Sequence, residues 1–171
     1  NDTMKGGSGS DFIFGDAGND TLLYDGKDTH NGGAGFDRVL VEGGGNSITY
    51  TAAKFIGIEM FDLGDANDRT GAGNQNTLSL SASDVVSANG SAVAGTVTGG
   101  SGSHNINFFV IGDTSGPTAN DKDNVHLTDF TKIDSGAFTD PVTGQSHNYD
   151  IYQSSTGPTV KVAIEQGLDM V

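Results

Sequence analysis

The sequence contains no cysteine and no tryptophan, and it has few basic residues. Without cysteine, the chain can form neither a disulfide scaffold nor a thiolate zinc site, and it has no cysteine nucleophile. No apolar run approaches the roughly 18 residues that a membrane-spanning helix needs. Eight Lys and Arg residues against 22 Asp and Glu residues give a net charge of −14, which disfavours nucleic acids and anionic membranes as partners.

Glycine is abundant instead, with 27 among the 171 residues. Because glycine destabilises a helix by about 1 kcal/mol per position relative to alanine, this composition favours a turn-rich β fold. The length suffices for one domain, or for two small ones, with a hydrophobic core. An acidic excess of this size either leaves a chain disordered or is neutralised by cations, and the placement of the aspartates favours cations.

The first forty residues repeat with a period of nine. Complete units cover 6–14, 15–23 and 32–40, a partial unit covers 1–5, and residues 24–31 form a degenerate unit that is one residue short. The units follow the pattern G-G-x-G-x-D-x-U-x, in which U is a large apolar residue. Because the first residues fit the end of a unit, we expect the sequence to be a piece of a longer chain.

Each position of this unit has a physical role. The glycines allow tight turns with positive φ and direct backbone carbonyls toward a common point. The aspartate adds a carboxylate oxygen, the ligand type that Ca²⁺ prefers, and the apolar residue two places later points inward from a short strand. Ordinary Asx turns would not keep this phase with an apolar residue. We predict calcium binding by Asp2, Gly6, Gly7, Gly9, Asp11, Gly15, Asp16, Gly18, Asp20, Asp28, Gly32, Gly33, Gly35 and Asp37.

One unit is expected to make half a turn of a coil, so that loops two units apart stack on the same edge. This stacking predicts two calcium sites, one between Asp2 and Asp20 and one between Asp20 and Asp37, with a weaker third site near Asp11. On the edge of Asp11 the degenerate unit weakens the site, because His30 stands where an apolar residue should point inward. We therefore expect about two to three bound ions.

The period disappears from Gly43 onward. Strand-like segments separated by Gly, Asp, Asn and Pro turns are predicted at 47–50, 58–63, 77–81, 93–98, 106–111, 124–127, 149–153 and 159–164. A helical turn is predicted at 51–55, and a short helix at 83–88, with Ser81 or Ser83 as its N-cap and Gly90 as its stop. The predicted fold is all-β: a parallel β-roll over 1–43, then a mostly-β region over 44–171, either an extended roll or a small sandwich, with one or two short helices.

Other segments give weaker indications. Asp62, Asp65 and Asp68 have the alternate spacing of an oxygen-ligand loop, as do Asp121 and Asp123, but solvated turns explain both clusters equally well. The segment 99–106 copies the repeat with His104 in place of the aspartate, which predicts a flexible hairpin loop without an ion. The apolar run 108–111 predicts a buried strand rather than an exposed adhesive patch.

Catalysis has no support in the sequence. The four histidines lack the spacing of a zinc site, and no serine lies in a G-x-S-x-G turn. We therefore expect a protein that is not an enzyme.

The repeats resemble the β-roll of RTX proteins. The remainder resembles the C-terminal region of large bacterial repetitive adhesins exported by type I secretion, and this likeness is carried by IGIEMFDLGD (56–65), NTLSLSASDVV (76–86), FFVIGDTS (108–115) and YDIYQSSTGPTVKVAIEQGLDMV (149–171). The chain departs from that family over 112–148, where it has a longer polar loop and lacks a tryptophan.

The resemblance implies a monomeric calcium-binding module of a secreted RTX adhesin at the bacterial cell surface, with a role in cell adhesion and biofilms. It implies an uncleaved C-terminal signal that is read by the ABC transporter, membrane fusion and outer-membrane components of type I secretion, and folding on Ca²⁺ after export. Two alternatives stay open. One is a calcium-dependent adhesion module that binds sugar, ice or a cell surface, and the other is the C-terminal appendage of a secreted RTX protease or lipase.

Overall fold

A computed structural model describes residues 1–64, 75–90, 92–112, 114 and 122–171. The described strands are β1 (Thr3–Met4), β2 (Phe12–Phe14), β3 (Thr21–Leu23), β4 (Thr29–Asn31), β5 (Arg38–Leu40), β6 (Ser47–Thr49), β7 (Phe55–Ile56), β8 (Met60–Asp62), β9 (Thr77–Ser81), β10 (Gly95–Gly99), β11 (Gly102–Ile106), β12 (Phe108–Ile111), β13 (Asn124–Thr128), β14 (Phe130–Thr139), β15 (Ser146–Ser154), β16 (Lys161–Glu165) and β17 (Asp169–Met170). A short helix, α1, runs over Ala82–Asn89 between β9 and β10.

The short strands wind into a parallel coil with two faces. On one face β1, β3, β5, β8, β12 and β16 lie side by side, and each neighbouring pair is parallel. The other face contains the parallel sheets β2-β4-β7 and β6-β9-β13-β17. The predicted mostly-β fold with a parallel roll is confirmed, and of the two forms expected after residue 43 the structure shows the extended roll. The division into 1–43 and 44–171 stays a prediction.

A ladder of apolar side chains fills the inside of this coil. Because side chains alternate along a strand, each short strand directs one central residue inward. The ladder on the first face consists of Met4, Leu22, Val39, Phe61, Val110 and Ile164, which are paired in register from strand to strand. All of them belong to the main core or pack against it, and Ile13 joins them from the opposite face.

Beyond β16 the pairing in this sheet changes from parallel to antiparallel. Strand β16 pairs antiparallel with β15, and the antiparallel order continues through β14, β10 and β11. A second core lies on the outer side of the parallel strands and includes Phe109 and Ile111 together with Tyr149. Phe108 and Val110 point into the coil, so all four residues of β12 are buried, which confirms the predicted buried strand.

The helix α1 lies where the sequence predicts it, with one more residue at each end. Ser81 is the N-cap and forms a capping box with Asp84, and Gly90 is the C-cap. The side chain of Asn89 connects the last turn to the coil. Its Oδ1 accepts a hydrogen bond from the Tyr50 hydroxyl at 3.2 Å, and its amide donates to the carbonyl of Ile58.

The prediction of a flexible hairpin loop over 99–106 is wrong in one respect. A hairpin is present, but most of the segment forms β11, which pairs with β10. Its His104 contacts Asp134 on β14, with 2.8 Å between Nε2 and Oδ2. The long strand β14, which the sequence did not indicate, supplies the partner that orders the hairpin, since β10 also pairs with it.

The weaker acidic clusters are only partly described. Asp65, Asp68 and Asp121 lie outside the described residues. The carboxylate of Asp62 accepts from Arg38 Nη1 at 2.8 Å, and that of Asp123 accepts from the Asn76 backbone N–H at 2.8 Å.

Candidate metal centre

The turns that precede the strands stack into two columns on opposite edges of the coil. The first column consists of the turns that end at Asp2, Asp20, Asp37 and Glu59. The second column consists of the turns that end at Asp11, Asp28 and Lys54. This is the alternate stacking that half a coil turn per unit predicts. The role of these residues as ligands stays a prediction.

Carboxylates and backbone N–H groups form a ladder along the first column. The N–H of Asp2 donates to Oδ1 of Asp20 at 2.5 Å, and the N–H of Asp20 donates to Oδ1 of Asp37 at 2.9 Å. The N–H of Asp37 donates in turn to Oε2 of Glu59 at 2.8 Å. Each carboxylate therefore uses one oxygen to hold the turn before it. The ladder continues beyond the repeats, because Glu59 lies outside the nine-residue pattern.

In the part of the chain that the structure describes, four repeat aspartates have a second carboxylate oxygen without a hydrogen-bond partner. Among the described residues, Oδ2 of Asp11, Asp20, Asp28 and Asp37 is buried in each case and makes no hydrogen bond. Leaving a buried charged oxygen unsatisfied costs more than an ordinary lost hydrogen bond. A hard cation would satisfy these oxygens, so the donor set fits Ca²⁺.

The turn glycines allow the stacked turns to approach each other. Gly35 has a φ of +143°, and a methyl group on its Cα would overlap the carbonyl oxygen of Gly18 in the neighbouring turn. The other predicted glycines lie in the same stacked turns, namely Gly6, Gly7, Gly9, Gly15, Gly32 and Gly33.

Two predicted ligands differ from the others. Asp16 and Asp2 are exposed, and their backbone groups make the contacts that hold them in the column. The carbonyl of Asp16 accepts from the Ala34 N–H at 2.8 Å, and the carbonyl of Asp2 accepts from the Thr21 N–H at 2.8 Å. The structure therefore does not bring the Asp16 carboxylate among the buried oxygens of the first column.

The pKa values of the carboxylates in the first column are shifted by burial and by their neighbours. The hydrogen bond from the Asp2 backbone lowers the pKa of Asp20. Burial raises the pKa of Asp37, and burial together with the nearby charge of Asp37 raises the pKa of Glu59 to about 7. Without a cation, the inner end of this column thus resists being fully ionised.

The second column has one carboxylate step and then a basic residue. The N–H of Asp11 donates to Oδ1 of Asp28 at 2.9 Å. Beyond Asp28, Nζ of Lys54 donates to three carbonyl oxygens of one turn, at 3.1 Å to Gly26, 2.9 Å to Lys27 and 3.2 Å to Asp28. An ammonium group thus meets the carbonyls of the degenerate turn, so the chain supplies its own cation at the end of this column.

His30 occupies the inward position of the degenerate unit, as its place in the sequence predicts. It is fully buried and stacks on Phe55 with 5.5 Å between ring centroids. Its Nε2 lies 3.0 Å from the carbonyl oxygen of Leu23, and burial lowers its pKa. A neutral imidazole therefore replaces the apolar residue without interrupting β4.

Across the described ranges, no group of three or more His, Asp or Glu side chains is placed to hold a metal. Each step of a column brings together two carboxylates at most, so backbone carbonyls must supply further ligands. The sequence did not predict the places of Glu59 and Lys54 in the columns. Glu59 directly precedes a strand and follows Gly57, which is a usable signal, whereas nothing in the sequence around Lys54 indicates its role.

Residues 1–26 match a family model described as the RTX calcium-binding nonapeptide repeat (4 copies). The amino terminus of this chain carries RTX repeats. Repeats of this kind bind Ca²⁺, and the two columns are the part of the fold that presents their aspartates and turns. The RTX match ends within the degenerate unit, before Asp28 and Asp37. The chain matches no curated protein and no solved structure.

The only helix among the described residues, α1, is too short and too polar to cross a bilayer.

Proposed function

We propose that this chain is a non-enzymatic, calcium-folded module of a secreted bacterial RTX adhesin. The observation that carries the proposal is the set of buried, unpartnered carboxylate oxygens in the stacked RTX turns. RTX repeats are typical of secreted proteins, which meet abundant Ca²⁺ outside the cell. In a calcium-poor cytosol the same carboxylates repel one another and keep the turns apart, and Ca²⁺ outside the cell neutralises them.

The energies involved suffice for a folding switch. Extracellular calcium modules bind with dissociation constants of about 10⁻⁴–10⁻³ M. A tenfold excess of free ion over such a constant stabilises the folded state by about 1.4 kcal/mol per site. Three such sites would contribute about 4 kcal/mol, which is comparable with the about 5 kcal/mol that holds a marginal domain folded.

The same proposal assigns the export signal to the C-terminal part of the chain. Support comes from the resemblance of 149–171 to type I-secreted adhesins. In the folded state Val162 and Ile164 are buried, so an apparatus that reads this segment would have to read it before the chain folds. Calcium-dependent folding after export would keep the segment accessible until then.

Circular dichroism and thermal melting in EDTA, and then with Ca²⁺ up to millimolar concentration, test the folding switch. A cooperative gain of β signal and a rising midpoint are expected, and a chain already folded in EDTA and indifferent to Ca²⁺ would refute the proposal. Fusion of this chain to a passenger protein, with and without residues 149–171, tests export by a type I transporter. Equal export of the two fusions would show that residues 149–171 do not carry the export signal.

Ligand binding by the folded module is the second candidate function. A cavity of about 280 Å³ lies where the coil meets the antiparallel strands, and it is lined by an arginine–aspartate ion pair and by a histidine beside a glutamate. Arg38 and Asp62 are 2.8 Å apart, and His147 and Glu165 are 2.7 Å apart. Such a polar cavity suits the hydroxyl groups of a sugar, and a glycan array probed with the calcium-loaded chain tests this role. No bound glycan would dismiss it.

A further inference from the structure

The turn that ends at Glu59 is not part of the nine-residue repeat, yet it stacks on the last repeat turn as the repeat turns stack on one another. The carbonyl oxygen of Gly57 lies against Gly32, where a methyl group would overlap it. The carbonyl oxygen of Gly32 lies in the same way against Gly15, one turn earlier in the column. Gly57 therefore takes the place of the first glycine of a repeat.

The groups around these two glycines correspond one to one. Beside Gly15, the carbonyl of Gly32 and Oδ2 of Asp20 converge on the same space. Beside Gly32, the carbonyl of Gly57 and Oδ2 of Asp37 converge in the same way. Oδ2 of Asp37 is buried and has no hydrogen-bond partner, and the side chain is fully buried.

Glu59 completes the correspondence. Its Oε2 accepts the N–H of Asp37 at 2.8 Å, as Oδ1 of Asp37 accepts the N–H of Asp20 at 2.9 Å. One oxygen of Glu59 thus holds the preceding turn, which places a second carboxyl group beside Asp37, the residue whose Oδ2 has no partner. Carboxylates and carbonyls are the ligands that hard divalent cations prefer.

We propose that Asp37, the carbonyl of Gly57 and Glu59 form a further Ca²⁺ site, which lies outside the RTX repeat sequence. This inference rests on the proposed calcium-dependent function. The site joins the turn before β5 to the turn before β8, and those strands belong to the repeats and to the following region, respectively. Binding of this ion therefore couples the folding of the repeats to that of the strands that follow.

Isothermal titration of the whole chain with Ca²⁺ alone tests this site by the number of ions bound. We compare the wild type with Glu59→Gln, which keeps the shape of the side chain and removes its charge. The matched control is Glu42→Gln, because Glu42 is exposed and pairs only with Lys5 on the surface. We expect Glu59→Gln to bind one ion fewer per chain, and Glu42→Gln to bind as many as the wild type.

The possible outcomes separate the two proposals. If the wild type binds no Ca²⁺, the proposed function fails and the site fails with it. If the wild type binds Ca²⁺ and Glu59→Gln binds the same number with the same affinities, only the further site is overturned. Should Glu59→Gln fail to fold at any Ca²⁺ concentration, the titration is made on Glu59→Asp. That variant keeps a carboxylate and is expected to keep the ion count with one affinity weakened, and unchanged affinities would overturn the site.

Discussion

The two columns of turns are built from the same repeat pattern, but the first ends at a carboxylate, Glu59, and the second at an ammonium group, Lys54. In the first column the carboxylate ladder passes from Asp37 to Glu59, and the acidic groups accumulate toward the inside of the molecule. In the second column the ladder stops at Asp28, and the ammonium group of Lys54 meets the carbonyls of the degenerate turn. The first column thus ends on a carboxylate, whereas the last turn of the second column receives the positive charge of a lysine of the same chain.

This difference teaches what a stacked turn requires. Carboxylate and carbonyl oxygens that converge between stacked turns are stabilised by a positive charge. The source of that charge decides whether the stability of the edge depends on the calcium concentration. A lysine supplies its charge at any calcium concentration, whereas an ion must be captured from solution. We expect the inner end of the first column, from Asp37 to Glu59, to respond to the calcium concentration more strongly than the inner end of the second column, where Lys54 supplies the charge.

The largest effect is expected from Asp20→Ala compared with Asp11→Ala. The Asp20 carboxylate accepts a hydrogen bond from the Asp2 N–H, and alanine would remove that bond. The hydrogen bond between Asp11 and Asp28 is donated by the Asp11 backbone N–H, which alanine keeps. Hydrogen bonds to charged groups contribute about 1.5–3 kcal/mol each, and a lost ion adds about 1.4 kcal/mol. Asp20→Ala should therefore cost about 4 kcal/mol in millimolar Ca²⁺, and Asp11→Ala, which loses only an ion, about 1.4 kcal/mol. Urea unfolding at fixed Ca²⁺ measures both, and equal losses would contradict the pairing.

Gly35→Ala compared with Gly9→Ala separates crowding from backbone strain. Both glycines have positive φ, +143° and +131° respectively, so both variants are strained by about 1–2 kcal/mol. Only at Gly35 would the new methyl group overlap a neighbouring turn, whereas at Gly9 the nearest atom is Oδ2 of Asp11 at an ordinary contact distance of 3.9 Å. We expect a total of about 3 kcal/mol or more at Gly35, because overpacking adds about 1–3 kcal/mol. Thermal melts of the two calcium-loaded variants give the difference in their stability. Similar midpoints would show that the turns at Gly18 and Gly35 are not in close steric contact.

Lys54→Met tests the tethered cation of the second column. The variant keeps the aliphatic length and leaves three carbonyl oxygens without their donor, which should cost about 2 kcal/mol. Lys5→Met is the control, because Lys5 makes an exposed ion pair with Glu42 and should contribute less than about 1 kcal/mol. Denaturant unfolding of both variants gives the comparison. A loss at Lys54 no greater than at Lys5 would mean that the ammonium has no structural role.

The smallest effect is expected away from both columns, at Asp134. The hydrogen bond from His104, aided by one from the Ser101 N–H, lowers the pKa of Asp134. A lowered pKa adds stability above the ordinary value of about 3.9, and that stability is lost as the pH falls toward the folded-state pKa. Thermal melts of the calcium-loaded wild type and of Asp134→Asn between about pH 2 and pH 6 measure this loss of stability. The variant should lose less stability on acidification, and parallel pH profiles would dismiss the interaction.

Much of the first column could be predicted from the sequence. The nine-residue phase placed Asp2, Asp20 and Asp37 on one edge, because successive coil turns differ by only one residue, with 18 residues from Asp2 to Asp20 and 17 from Asp20 to Asp37. The apolar residues two places later entered the core for the same reason, and α1 followed from Ser81 and Gly90, whose capping chemistry is local.

The rest depended on contacts between distant residues. Glu59 enters the first column only because β8 pairs with β5 across 22 residues, and no local pattern encodes that pairing. The donor bonds of Lys54 likewise depend on how β7 stacks on β4. Strand β14 was missed because its alternation of buried and exposed residues is weak, although Asp140, Pro141 and Gly144 mark the turn that leads to its partner β15.

Strand β16 is near the end of the chain and yet lies in the middle of the ten-stranded sheet, with β12 on one side and β15 on the other. Cleavage before Lys161 would therefore not trim an edge. It would open a gap between the coil and the antiparallel strands, and it would expose the backbone of the wholly apolar β12 to pairing with other chains. Molecules that lack β16 would thus expose an unpaired strand edge to proteases and to aggregation.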